Sequence, residues 1–425
     1  MSRQTAAMRS LHLSPFLLLC GTGLFAIFSS TMSKNPALPL FAKDLGATEA
    51  DVGFIAAAST VVGVVASLPA GALSDLYGRR RVILVSTFVF ASAPFLYLLV
   101  SSPWQLAAVR VYHGFATAIF GPVAMALVAD LFQTGRGESM GWYSSATLIG
   151  RSAAPFVGGS LLWLAASRYQ WVYVLCGVAG LVALVIAWRL PVDNLTQAGA
   201  SLVESWRKLR AGLSEVVRSR PILVTSGTEA LQYFSYGALE TFLPLYAVFV
   251  VRLTTIEVGT IFLVQTLTTA LSRPVMGRTS DRVGRRPMIA LGLALSGASL
   301  ALVSASGALV DVASAAGTFA LLLFVGVAYG LGLSVVTSST SAYVSELAKA
   351  GSYGSALGVL STIMDVGHST GPMVTGLLVL GLGYQSAFLV VTALLLAGAA
   401  GFLLLVPANR QGAVLGPSDV KAANE

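Results

Sequence analysis

Seven ionisable side chains stand inside long apolar runs of this sequence: Lys34, Arg110, Arg151, Glu229, Glu240, Arg273 and Asp365. Arg273 lies near the end of its run and is expected to snorkel toward water. The other six divide into three cations in the first half and three acids in the second. At helical spacing they share faces with other polar and aromatic side chains. One face holds Glu229, Gln232, Tyr233, Tyr236 and Glu240; another holds Arg110, His113, Thr117 and Phe120. Asp365 lies one turn from His368, and Thr31 one turn from Lys34, while a further run adds Tyr329, Ser334, Thr337 and Ser338. A charge in hydrocarbon costs about 2.5–3.5 kcal/mol on insertion scales, so each is a candidate for carrying a proton or meeting a solute. The alternative for any one of them is a static bridge, such as Arg151 with Asp365.

The elements that must position these groups follow from composition. Charged residues are 10% of the chain, against roughly 25% in soluble domains. Hydrophobic residues are 56%, and the mean hydropathy is +0.80. Most of this surface therefore has lipid as its solvent. A hydrocarbon core of about 30 Å takes about 20 apolar residues per helix. The sequence predicts twelve spans: 14–41, 52–72, 81–100, 105–129, 139–166, 171–189, 221–250, 257–276, 287–306, 315–343, 354–380 and 385–406. The runs are too long and unbroken for barrel strands, which alternate over about ten residues.

Basic residues set the orientation. With the N-terminus inside, 19 of the 26 lysines and arginines fall in cytoplasmic segments; only Lys43, Arg168 and Arg252 fall in outer loops. That is a positive-inside asymmetry, and it puts both termini in the cytoplasm. The net charge of +8 then reflects topology and anionic lipid heads, with no nucleic-acid partner implied. Arg3 and Arg9 precede a first helix expected to be retained, not a cleaved signal. Cys20 and Cys176 fall at different depths, so no disulfide is expected. The reading divides the chain into a bundle at 1–189, a cytoplasmic linker at 190–220, a bundle at 221–407 and a tail at 408–425.

A ten-residue phrase occurs twice. Gly71-Ala-Leu-Ser-Asp75-Leu-Tyr-Gly78-Arg79-Arg80 returns as Gly277-Arg-Thr-Ser-Asp281-Arg-Val-Gly284-Arg285-Arg286, at a constant offset of 206 residues. Asp51-Val-Gly53 matches Glu257-Val-Gly259 at the same offset, and Leu38-Pro39-Leu40-Phe41 matches Leu243-Pro244-Leu245-Tyr246 at 205. Gly150 and Pro155 match Gly367 and Pro372 at 217. An offset of half a protein means two copies of one unit. The 217 offset also relates Arg151 to His368, predicting both near mid-membrane between the copies. Glu240 is one position beyond the equivalent of Lys34, so those two should face each other at similar depth.

The repeated phrase resembles the loop signature of the major facilitator superfamily, between its second and third helices and its eighth and ninth. The resemblance implies an all-α membrane protein of twelve helices in two pseudo-symmetric six-helix bundles. It implies a midplane cavity lined by helices 1, 4, 7 and 10, with 2, 5, 8 and 11 at the interface. It also implies a conformational latch of Gly71, Asp75, Gly78, Arg79, Arg80 and Asp130, repeated as Gly277, Asp281, Gly284, Arg285, Arg286 and Glu346. Asp75 would accept from helix-terminal amides across the bundle interface, and Arg79 or Arg80 would pair with Asp130; the plainer reading is a basic loop obeying topology. Gly150-Arg151-Ser-Ala-Ala-Pro155-Phe-Val-Gly158-Gly159 is similar to the antiporter signature of helix 5, with Ala154 in place of its glycine; ordinary small-residue packing is the plainer reading. Arg110 with Gly114 resembles a helix-4 signature linked to proton transfer.

Gly367-His368-Ser369-Thr370-Gly371 matches an esterase pattern, but that chemistry needs a strand–turn–helix elbow, and no histidine follows position 368. No zinc spacing, Walker loop or dinucleotide fingerprint occurs, so no enzyme activity, cofactor or metal is expected. The resemblance implies a monomeric secondary transporter in a cytoplasmic membrane, exporting a small organic solute in exchange for protons. The alternatives are a proton-linked importer of a sugar or organic anion, and a non-transporting membrane sensor or scaffold. The substrate and proton pathway is expected among Lys34, Arg110, His113, Arg151, Glu229, Gln232, Tyr233, Tyr236, Glu240, Asp365 and His368.

Overall fold

The computed structural model describes residues 14–132, 134–191, 219–309, 314–348 and 353–406. The body of the expected linker (192–218), the tail after 407 and the basic N-terminal segment lie outside the described residues. α1 (Pro15–Lys34) begins behind Ser14, whose side chain accepts from the Leu17 N–H, with Pro15 at the first helical position, where a missing N–H is harmless. It stops at Asn35-Pro36, and α2 (Ala37–Asp44) resumes the span. Proline cannot supply the amide that a continuous helix needs there, so the first span, expected as one run, is two helices. The remaining helices of this half are α3 (Glu49–Tyr77), α4 (Arg79–Tyr97), α5 (Pro103–Leu131), α6 (Arg136–Leu164) and α7 (Tyr169–Trp188).

The second half repeats the pattern. It comprises α8 (Arg220–Leu245), closed by a π-helical turn at Tyr246–Val250, then α9 (Thr255–Val283), α10 (Arg285–Ser306), α11 (Ala315–Leu347) and α12 (Tyr353–Leu405). α12 carries both of the last two spans, divided at Gly383, where φ is 79°. All regular structure among the described residues is helical. Among the described residues nine helical segments, the first of them α1 and α2 together, are long and apolar enough to cross a bilayer. α6 and α8 are not among them, and they are the helices that carry Arg151, and Glu229 with Glu240.

The sequence repeats acquire physical meaning here. Asp51 and Glu257 are the N3 acids of matching capping boxes, closed by Thr48 at the start of α3 and Thr254 at the start of α9; each satisfies two otherwise orphaned helix-end donors. Gly53 and Gly259, two residues on, lie against the other bundle. A Cβ on Gly53 would collide with the backbone at Pro372, and one on Gly259 with the backbone at Pro155. Thr255 Oγ1 also donates to the Gly159 carbonyl across the same seam at 2.8 Å. The bundles thus meet through α3 on α12 and α6 on α9, sealed backbone to backbone at the end opposite the basic loops.

Candidate functional site

Between the bundles, on the basic-loop side of that seal, lies a cavity of about 400 Å³. α6 contributes Ser144, Ser145, Thr147 and Arg151, α8 contributes Tyr233 and Tyr236, and α9 contributes Gln265, Thr266, Thr269 and Arg273. A second cavity of about 390 Å³ shares Tyr233 and Arg273 and adds Glu229, Thr337, Ser338 and Ser341. Arg151 and Arg273 are exposed in the structure. The larger cavity is walled mainly by α6, α8 and α9, which carry spans 5, 7 and 8, while spans 7 and 10 contribute to the second cavity.

Arg273, expected to snorkel toward water, lines both cavities from α9, which continues through polar residues to Val283.

The deepest polar group lies at the floor. Lys34, Arg110, Glu240 and His368, with Pro39 and Pro372, enclose a pocket of about 30 Å³, room for a water molecule. His368 Nε2 lies 3.1 Å from Glu240 Oε2, and the two side chains are 17% and 16% exposed. Lys34 and Glu240 share this pocket from opposite bundles, as their places in the repeat suggested. His368, expected to act with Asp365 one turn before it, is bonded to Glu240 on α8. The cause is the close approach of α12 to α8: a Cβ on Gly367, Gly371 or Gly237 would strike the facing helix. Tyr236 packs on His368 with ring centroids 5.5 Å apart and also faces the larger cavity beside Arg151. Arg151 and His368, related by the repeat, thus approach Tyr236 from the two bundles. Arg151 has no ion-pair partner among the described residues, so the bridge to Asp365 is not made.

Other members of the predicted set make further bonds around these cavities or within one bundle. Arg110 is 1% exposed and donates to Ser59 Oγ on α3. His113 points into its own bundle: its Nδ1 is 3.3 Å from the Tyr97 hydroxyl, and its ring lies edge-on to Phe90. Helical phase put it on the face of Arg110 but could not say which neighbour that face would meet. Glu229, 3% exposed, accepts from Thr340 Oγ1 at 2.5 Å. Gln232 donates to the Tyr329 hydroxyl at 3.3 Å, and Ser235 bonds the same hydroxyl at 2.7 Å. Ser59, Thr340 and Ser235 were not singled out in the sequence, because hydroxyl residues are common in membrane helices and nothing local marks these three. Ser369 sits inside α12 with its hydroxyl on the Asp365 carbonyl, not on a nucleophile elbow.

At the basic-loop end, Gly78 and Gly284 adopt φ 91° and 104°, a region that side chains disfavour. One residue therefore joins α3 to α4 and α9 to α10, and it delivers an arginine onto the preceding acid. Arg79 bonds Asp75 at 2.6 Å and Asp130 at 2.9 Å. Arg285 bonds Glu346 at 2.8 Å and also Asp281. Asp75, expected to accept from helix amides across the interface, is paired here inside its own bundle, because the turn at Gly78 brings Arg79 onto it. The second arginines cap the last helix of each bundle: Arg80 donates to the Trp188 carbonyl at 2.7 Å, and Arg286 to that of Leu403. Gly71 lies in α3; Gly277 has open space where a Cβ would be.

Comparison with known proteins agrees with this geometry. The model of the Major Facilitator Superfamily matches residues 19–263 and again 230–421. An uncharacterized MFS-type transporter of Methanocaldococcus jannaschii is 24% identical over 377 residues, 88% of this chain and 92% of its own length. Quinolone resistance protein NorA of Staphylococcus aureus is 24% identical over 237 residues, 56% of this chain and 57% of its own. Among solved structures, the nucleoside transporter NupG superposes with a TM-score of 0.73 at 14% identity, covering 92% of this chain and 99% of that one. A bacterial homolog of the human lysosomal transporter Spinster, inward-facing and unoccupied, gives 0.73 at 16% identity, covering 92% and 96%.

Proposed function

The chain belongs to the major facilitator superfamily of transporters, and from that premise we propose that it exports a small organic solute in exchange for protons by alternating access. It would act as a monomer in a cytoplasmic membrane, with both termini inside. The bundle at 1–189, the linker at 190–220, the bundle at 221–407 and the tail at 408–425 are its proposed divisions. On the positive-inside orientation, the cavity opens inward and the glycine seam closes the outer side.

One observation carries the reading: the Glu240–His368 pair beside Lys34 and Arg110, at the floor of the cavity. A proton on Glu240 removes the negative charge facing Lys34, which changes the interaction between the bundles. Such a change favours one access state, and only a differential interaction of this kind can shift a conformational equilibrium. Glu229, held by Thr340, and Asp365 are subsidiary acids of the pathway. The two arginine-centred triads are the proposed latch, engaging across the interface when the basic-loop ends close.

The test is transport in proteoliposomes under an imposed pH gradient. Export in exchange for protons requires solute to move against its gradient toward the acidic side. Movement with protons in the same direction would identify the importer instead.

A further inference from the structure

Arg151 and Arg273 present a second, separate feature. Both are exposed on the wall of the same cavity, one from each bundle. Neither has an ion-pair partner among the described residues. Glu229, the acid that shares the adjoining cavity with Arg273, is bonded to Thr340 instead. Among the described residues no acid lines the larger cavity, whose remaining polar wall is hydroxyls, two tyrosines and Gln265. Gln265 is 2% exposed, and its side-chain oxygen has no hydrogen-bond partner among them.

The repeat gives no structural reason for Arg273. At the 206 offset that aligns the loop phrases, its counterpart is Ser67, so this position does not need a cation for the fold. Guanidinium offers a rigid fork of donors that matches carboxylate and phosphate, and charge-assisted bonds of this type are the strong ones.

We propose that this cavity binds a small organic anion, with acidic groups taken by Arg151 of one bundle and Arg273 of the other and an O–H or N–H donor taken by Gln265. The cavity volume of about 400 Å³ lies within the range of small-molecule sites. The anion does more than bind. α6 and α9 already touch at the sealed end through Gly159, Thr255 and Gly259, so an anion bridging their two arginines draws the open ends together about that pivot. The inference rests on the transporter reading of the same cavity and adds the charge class of its solute.

The test is equilibrium binding to the purified protein in nanodiscs, with no ion gradient. The probes are fluorescein, a planar organic dianion, and rhodamine 6G, a cation on the same ring system, followed by fluorescence polarisation. Wild type is expected to bind fluorescein in preference to rhodamine 6G. Arg151→Gln and Arg273→Gln should each weaken fluorescein binding by about tenfold or more, the size expected for losing a charged hydrogen-bonding partner. Arg151→Lys and Arg273→Lys should recover part of the loss, and because neither arginine is ion-paired, all four should elute as monodisperse protein. Preference for rhodamine 6G, absence of fluorescein binding at millimolar concentration, or unchanged fluorescein binding in both glutamine variants would each overturn the proposal. Failure here leaves proton exchange intact as a reading, and failure of proton exchange leaves this binding result standing.

Discussion

The bond between His368 and Glu240 favours Glu240 over Asp365 as the proposed proton carrier. His368 is one turn from Asp365 in sequence, but its imidazole reaches across to α8 at 3.1 Å. Asp365→Asn is therefore expected to keep more of the gradient-driven transport than Glu240→Gln does, because its carboxylate makes no hydrogen bond or ion pair among the described residues. His368→Ala should shift the pH profile of transport, because it removes the partner of the Glu240 carboxylate. A pH profile that moves with Asp365→Asn and not with His368→Ala would return the proton to Asp365. Most of these groups were legible in the sequence, since an ionisable residue in an apolar run is conspicuous. Their pairings were not: which side chain His368 meets depends on how closely glycines let α12 approach α8, and no local pattern encodes that distance.

Between elements, the repeated phrase works through backbone geometry as much as charge. Gly78→Ala forces a side chain into φ 91° and is expected to destabilise the fold by about 1–3 kcal/mol, seen as a lower unfolding temperature in detergent. Asp75→Asn should behave differently. It leaves folding and insertion intact and removes one acid of the Arg79 triad, so transport should largely stop while the elution profile stays normal. Wild-type transport in a well-expressed Asp75→Asn protein would exclude the latch. Helix boundaries were readable to within a few residues from the ends of apolar runs, although the break at Asn35-Pro36 was missed; the acids at 51 and 257, seen in the sequence only as a repeat, are capping residues. The reach of α9 was not, because an apolar window ends where hydrophobicity ends, whereas the backbone continues helical to Gly284. Arg273 was conspicuous in the sequence, but its place on the cavity wall was not.

On the scale of the whole molecule, the glycine seam and the cavity are two ends of one lever. Gly159→Leu should wedge α6 from α9 at the sealed end, since its Cβ already meets the Thr255 backbone. Spin labels placed across that seam should then report a longer distance than in wild type; an unchanged distance would show that the seam does not hold the closed end. The central claim is that a proton on Glu240 is exchanged for solute. The direct measurement is transport by reconstituted Glu240→Gln, using the solute identified by a deletion-and-overexpression metabolite screen, with and without an imposed pH gradient. The account predicts that this variant loses gradient-driven accumulation and keeps gradient-independent solute exchange. Full gradient-driven transport by Glu240→Gln would contradict it.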